Sequence, residues 1–291
     1  MKKNLFYLLA AALLLTGCST VVMTGRKQLM LVDHSEVLTS SLTYYQEVIG
    51  SVQVEKSTTR STQVERVGKK IAAATEEYLR NNGAADQVSE FAWEFNLVQD
   101  DQANAFCMPG GKIVVYTGIL KYATSDDELA VVLGHEVAHA VARHSDERMS
   151  QQVAAQYGSN ILSSVLSGKS ESVQLLASQV YGLGAQYGVM LPFSRKHETE
   201  ADYMGLVLMS MAGYNPDCAI TFWQKMSTGG QSVPEFMSTH PSDATRISNI
   251  NEKLAEVKAK YYKPATTTTN TKTTKTTKSS KSSSSKKSTK K

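Results

Sequence analysis

His135-Glu136-Val137-Ala138-His139 sets two imidazoles four residues apart, with a carboxylate next to the first. On a helix, residues i and i+4 lie about 40° from alignment, so both rings can point at one ion. Zinc accepts imidazole nitrogen readily. A catalytic zinc uses three protein ligands and leaves one position open. Glu136 stands beside such an ion rather than on it. From there it can take a proton from an attacking water and pass it to a leaving amine. The chemistry this pattern suits is hydrolysis of a peptide bond.

A third ligand is needed. His144 is the nearest histidine, but nine residues of helix carry it about 180° around from His135. The metzincin pattern asks for glycine at 142 and histidine at 145, where this chain has Ala142 and Ser145. Further on stands His197-Glu198-Thr199-Glu200-Ala201-Asp202. Glu198 and Asp202 share one helix face. Glu198 can bind the metal, and Asp202 can accept a hydrogen bond from a ligand imidazole and fix its tautomer. Glu200 points the other way and is expected to be exposed. His197 is off the face, a bystander.

The elements that must hold these residues are legible around them. Ser125-Asp126-Asp127-Glu128 reads as a capping box that starts the His135 helix. Apolar spacing predicts helices over 33–49 and 62–81, the second ended by Asn82-Gly83. Strands are expected over 91–98, 103–108 and 112–116, with Pro109-Gly110-Gly111 as a hairpin. Residues 147–182 read as mostly helical, and the 147–190 region as a mobile lid. Further helices are expected over 194–213, 216–226 and 242–261. Helices, a small sheet before the central helix, then helices again make an α+β class.

The two ends are of another kind. Lys2, Lys3 and the apolar run Leu5 to Leu15 lead to Leu15-Thr16-Gly17-Cys18, a secretory signal ending in a lipobox. Residues 1–17 would be removed and Cys18 lipidated, a stable anchor because each buried methylene contributes about 0.8 kcal/mol. An ordinary signal peptide with a chance cysteine is the plainer alternative. Ser19 leans the sorting towards the outer membrane, facing the periplasm. Residues 18–60 then form an anchor lead-in and first helix, and 61–262 the catalytic domain. From 263 to 291 the chain is mostly Thr, Ser and Lys, a composition that cannot bury enough surface to order. The net charge of +4 rests on that tail, which has eight lysines after residue 271 and no acid. Without them the body is mildly acidic, which gives no case for nucleic acid. The tail reads as a solvated spacer or a contact for anionic lipid or glycan. Cys107 and Cys218 remain after Cys18, and they can pair or stay free.

Four blocks together resemble a known family: Asn104 to Gly111, Gly134 to His139, Glu198 to Asp202, and Thr239-His240-Pro241 followed by Arg246. The chain is similar to the gluzincin zinc metallopeptidases that include the type I CAAX prenyl proteases and the HtpX-like and Oma-like membrane proteases. It looks most like the periplasmic and lipoprotein members (BepA-like, LoiP-like). The resemblance spans roughly residues 60 to 250. It implies a mostly helical zincin-like domain with one zinc ion per chain. The ligands would be His135, His139 and Glu198, with Glu136 as base and Asp202 behind the metal. It implies that Asn104, Ala105 and Phe106 belong to an edge strand along the cleft, where an extended substrate can pair. His240 falls near the metal: it would stabilise the oxyanion, occupy the fourth zinc position at rest, or simply cap the last helix. Arg246 would assist it or form a surface salt bridge. One departure is Cys107, where alanine is more usual. The transmembrane helices of the prenyl protease are absent, so a prenylated substrate is not implied. The expected function is an endopeptidase acting on misfolded or unassembled envelope proteins. The alternative is a zinc-containing chaperone or assembly factor with latent proteolysis.

Overall fold

The computed structural model describes residues 18–168, 171, 174, 191–228, 236, 240 and 244–264. The signal segment, the Thr/Ser/Lys tail beyond 264 and most of the second half of the expected lid lie outside the described residues.

A short hairpin comes first, β1 (Cys18–Thr20) against β2 (Lys27–Leu29). Asp33 then caps α1 (His34–Ser51), its carboxylate accepting from Ser35 N. After β3 (Val54–Glu55), Thr58 and Ser61 form a reciprocal box that starts α2 (Thr59–Asn81). The short α3 (Ala85–Val88) leads to β4 (Glu94–Val98), β5 (Ala105–Met108) and β6 (Lys112–Tyr116). The four-stranded sheet runs β3-β4-β6-β5, with β4 and β6 parallel and the outer pairs antiparallel. β5 is therefore an edge. Gly110 and Gly111 turn the β5–β6 hairpin at φ 86° and 79°, a conformation costly for any residue with a Cβ.

The alternation of the strands splits the core. Leu97, Ala105, Ile113 and Val115 face one side with α2 and the central helix. Val98, Met108 and Val114 face the other, where Tyr45 of α1 covers them. The first helix is thus packed on the sheet rather than trailing from it. Its Tyr45 hydroxyl also donates to Glu94 at 2.9 Å.

Past a 3₁₀ turn (Thr117–Lys121), the central helix α4 (Asp126–Val141) is capped by Ser125, which accepts from Glu128 N. The expected box is modified. Glu128 reaches one residue further back and accepts from Thr124 N at 2.8 Å. Eleven of the sixteen residues of α4 are buried, so this helix is the axis of the domain. α4 stops at Ala142. Arg143 turns the chain in the left-handed region at φ 53°, and α5 (His144–Leu166) leaves in a new direction. Then follow α6 (Leu191–Met211), α7 (Cys218–Thr228) and α8 (Ala244–Tyr261). The α+β class stands.

α4 and α6 cross through two glycines. A Cβ on Gly134 would sit 2.9 Å from Gly205 O, and one on Gly205 would sit 2.9 Å from His135 N. Gly205 lies seven residues past Glu198 and three past Asp202, on the same helical face. The glycine contact therefore brings the face of α6 that carries both acids up against the histidines of α4. Neither Cys107 nor Cys218 is in a disulfide. No helix among the described residues is long and apolar enough to cross a membrane.

Candidate metal centre

One atom from each of His135, His139, Glu198 and His240 lies within 4.8 Å of the others. The closest approaches are shorter. His135 Nε2 stands 3.1 Å from His139 Nε2, 3.2 Å from His240 Nδ1 and 3.3 Å from Glu198 Oε2. Glu198 also comes within 3.4 Å of His139 Nε2 and 3.1 Å of His240 Nδ1. Donor atoms at about 2.0–2.1 Å from a tetrahedral zinc must be about 3.3 Å apart, so these separations fit that ion.

The proton inventory fits it too. His135 Nδ1 lies 3.0 Å from Asp202 Oδ1, which commits its Nδ1–H and turns Nε2 towards the centre. Burial and the charge of Arg246 oppose a second proton on His135. The hydrogen bonds to Asp202 and Glu198 outweigh them and hold its pKa at about 9. A metal then displaces the Nε2 proton on binding. Burial pushes His139 well below the usual imidazole range, so it is neutral and ready to ligate. Burial also works against the charge of Glu198. Hydrogen bonds from His135 and His240 win, and the carboxyl lies far below its usual range.

Glu136 is 2 % exposed. Its Oε2 accepts from Cys107 N of the edge strand at 3.2 Å, and Oε1 has no hydrogen-bond partner. Burial raises its pKa against the charges of His240 and His135. A carboxylate with one oxygen anchored and the other waiting suits a proton carrier. It lines a cleft of about 220 Å³ with Phe106, Cys107, His139, Glu198 and His240. A second groove of about 520 Å³, with no charged side chain on its walls, opens beside it between Tyr44, Phe106, Met108 and Met149. No motif or spacing pointed to that groove.

The structure thus gathers His135, Glu136, His139, Glu198, Asp202, His240 and Arg246. It puts Ala105 and Phe106 on edge strand β5, with Asn104 just before it. The His240 ring faces the ligand atoms and stacks on Phe236, centroids 4.6 Å apart. Arg246 is no surface salt bridge. It is 4 % exposed and forks onto Asp202 at 2.6 and 2.7 Å, its guanidinium 3.7 Å above the Trp223 ring.

Three expectations fail. Glu200 is buried, not exposed: Arg26, Thr24 and His144 all donate to it. The angle around α6 was right, but that side is covered by the lead-in hairpin and α5 rather than by water. His197 is no bystander. It is buried, bonded to Glu147 Oε2 at 2.9 Å and stacked on His144 at 4.2 Å. His144 does not face away. Because α4 breaks at Arg143, the nine-residue extrapolation does not apply, and His144 Nδ1 comes to 2.8 Å from His139 Nδ1. Burial, against its bond to Glu200, holds His144 neutral with a pKa of about 4. Arg26, Glu147 and Glu200 carry no local motif. Arg26 lies in the lead-in hairpin, far along the chain from Glu147 and Glu200.

Converging imidazoles and a carboxylate, with a second carboxylate beside them, mark the zinc-dependent peptide hydrolases as a class. The comparison with known families narrows this: the chain belongs to peptidase family M48, whose model matches residues 61–254. It is similar to the mitochondrial metalloendopeptidase OMA1 of Schizosaccharomyces pombe, 41 % identical over 180 residues, covering 61 % of this chain and 51 % of that one. It is 32 % identical over 176 residues to the human mitochondrial metalloendopeptidase OMA1, covering 58 % and 34 %. It is 31 % identical over 172 residues to the beta-barrel assembly-enhancing protease of Yersinia pestis, covering 57 % and 35 %. The chain thus spans about half or less of the length of these relatives.

Proposed function

We propose that this chain is a zinc-dependent endopeptidase in which His135, His139 and Glu198 hold one zinc ion and Glu136 is the base. The observation that carries the reading is the convergence of those donor atoms at tetrahedral spacing beside Glu136, whose Oε1 takes no hydrogen bond among the described residues and lies 3.5 Å from His240 Nε2. When bound, zinc supplies a Lewis acid that polarises the scissile carbonyl and makes water a better nucleophile. Glu136 takes the proton from that water and returns it to the leaving amine. Asp202, gripped by Arg246, keeps His135 in its Nε2-ligating tautomer. An extended substrate lies along the β5 edge, with apolar side chains in the groove between Tyr44 and Met149.

Substrates of this kind are unfolded or unassembled chains, which offer extended backbone and exposed apolar residues. We place the protein in the cell envelope as a lipoprotein anchored through Cys18, at the outer membrane facing the periplasm. The signal segment supports this, and so does the similarity to an assembly-enhancing protease. The other relatives named are mitochondrial, so the placement rests on the N-terminal sequence. A second reading is favoured by one contact. His240 Nδ1 fills the fourth vertex of the donor set, 3.2 Å from His135 Nε2 and 3.1 Å from Glu198 Oε2. In that arrangement the protein is a latent protease that binds unassembled clients as a chaperone.

The test is metal content and cleavage of casein by the mature chain, for wild type and Glu136→Gln. One zinc per chain in both, with cleavage slowed about 10²–10⁴-fold in the variant, is the expected result. Zinc in both and cleavage in neither moves the weight to the latent reading. No zinc in either refutes the ligand assignment.

A further inference from the structure

His135 has Asp202 behind it, whereas among the described residues no carboxylate bonds the Nδ1 side of His139, whose Nε2 faces Glu198. Its Nδ1 meets another imidazole instead, His144 Nδ1 at 2.8 Å. One of those two nitrogens must donate and the other accept. The far side of His144 decides which. His144 Nε2 lies 2.9 Å from Glu200 Oε2, and an ionised carboxylate only accepts. The proton of His144 is therefore on Nε2, and its Nδ1 is a bare acceptor. His139 must then carry its own proton on Nδ1, which leaves the Nε2 lone pair facing the metal position.

Glu200 stays ionised because it is held from outside the family-matched segment. Arg26 Nε donates to Glu200 Oε2 at 2.7 Å, and Thr24 donates to Glu200 Oε1. The same guanidinium closes on Glu147 at 2.7 and 3.0 Å. Glu147 in turn binds His197, which stacks on His144 and fixes its plane. We propose that Glu200 and His144 form a carboxylate–imidazole relay that sets the tautomer of His139, and that Arg26 of the lead-in hairpin is the positioning residue that locks it. A ligand histidine usually donates its other N–H to a carboxylate directly. Here one imidazole is interposed. The strap between Cys18 and α1 thereby becomes part of the metal centre.

This inference rests on the zinc reading, and the experiment separates the two. Zinc affinity is measured by chelator competition on the full mature chain for wild type, Arg26→Met, Arg26→Lys, Glu200→Gln and His144→Phe. Lys27→Gln, which loses only an exposed contact to Thr20, is the control. The tautomer of His139 is read by ¹⁵N-edited imidazole NMR on the zinc-loaded proteins. Thermal melts of the metal-free proteins report folding. The expected result is a 10–100-fold loss of affinity for Arg26→Met, Glu200→Gln and His144→Phe. Arg26→Lys should recover part of it, and Lys27→Gln should change nothing. The Nδ1–H signal of His139, slow to exchange in wild type, should exchange fast in Glu200→Gln and His144→Phe. Unchanged affinity and exchange in those variants would overturn the relay while leaving the zinc reading intact, as would a His144 protonated on Nδ1. A wild type that binds no zinc overturns both. Should a variant melt early without metal, the exchange rate of the His139 proton in the remaining folded variants decides.

Discussion

On one side of His139, the donor atoms of His135, Glu198 and His240 converge on a point with an open cleft beyond. On the other side, Arg26 closes on Glu147 and Glu200, and each acid takes a histidine. Both clusters are buried at similar depth. The first presents four donor atoms to one point, with Arg246 3.4 Å from Glu198. The second completes itself, because one guanidinium supplies enough donors for two carboxylates. A buried charge without partners is costly, so the self-completed cluster holds its members in place, whereas the converging donors suit a bound cation. The contrast also tells which acids titrate oddly. Glu147 is pulled down to about 2: burial opposes its charge, but the bonds from His197 and Arg26 prevail. Glu136 goes up, because burial outweighs the charges of His240 and His135.

The strongest way to break the comparison is to remove a converging donor. Glu198→Ala should abolish stoichiometric zinc and casein cleavage together, as read by atomic absorption and gel assay. Retention of one tight zinc would mean that the convergence is not a metal site. A smaller loss is expected from Asp202→Asn. It keeps the shape but removes the charge that holds the His135 tautomer, so zinc should bind 10–100-fold more weakly. It should also strand Arg246, lowering the melting temperature. Gly205→Ala probes the spacing itself. Its Cβ would press on His135 N, and overpacking of this kind costs about 1–3 kcal/mol. A fall in melting temperature with weaker zinc binding is expected, and an unchanged protein would show that the α4–α6 crossing has slack.

The smallest effect lies furthest from the metal. His34, at the start of α1, bonds Asp146 of α5 at 2.6 Å and Glu90 at 3.0 Å. These bonds raise its pKa from 6.5 to about 9 against burial. A raised pKa means a stabilising contribution fully present below about 6.5 and lost as pH rises to 9. Wild type should therefore lose thermal stability relative to His34→Gln between those values. Parallel melting curves from pH 6 to 9 would remove this clasp from the account.

What could be read from the sequence follows the range of the interactions. His135, Glu136 and His139 share one helix turn, and Glu198 and Asp202 share another, so spacing alone put each set on a face. Ser125, Pro109-Gly110-Gly111 and Asn82-Gly83 are local signals, and their elements lie within a few residues of expectation. The strand expected over 91–98 begins three residues later, at Glu94, because the approach bonds the Gly110-Gly111 turn, through Ala92 N to Gly110 O, before β6 starts at Lys112. His144 was misplaced because one left-handed residue, Arg143, ends a helix without glycine or proline to announce it. Glu200 and His197 escape a helical wheel, which gives a direction and not what covers it. Arg26 is 174 residues from Glu200, and no periodicity carries information over that distance.

X-ray absorption at the zinc edge of the mature chain loaded with one equivalent tests the central claim most directly. The expected first coordination shell is imidazole nitrogen and carboxylate oxygen at about 2.0–2.1 Å, with no sulfur. Zinc–sulfur scattering at about 2.3 Å, which would implicate Cys107 beside Glu136, or a shell lacking imidazole, would contradict it.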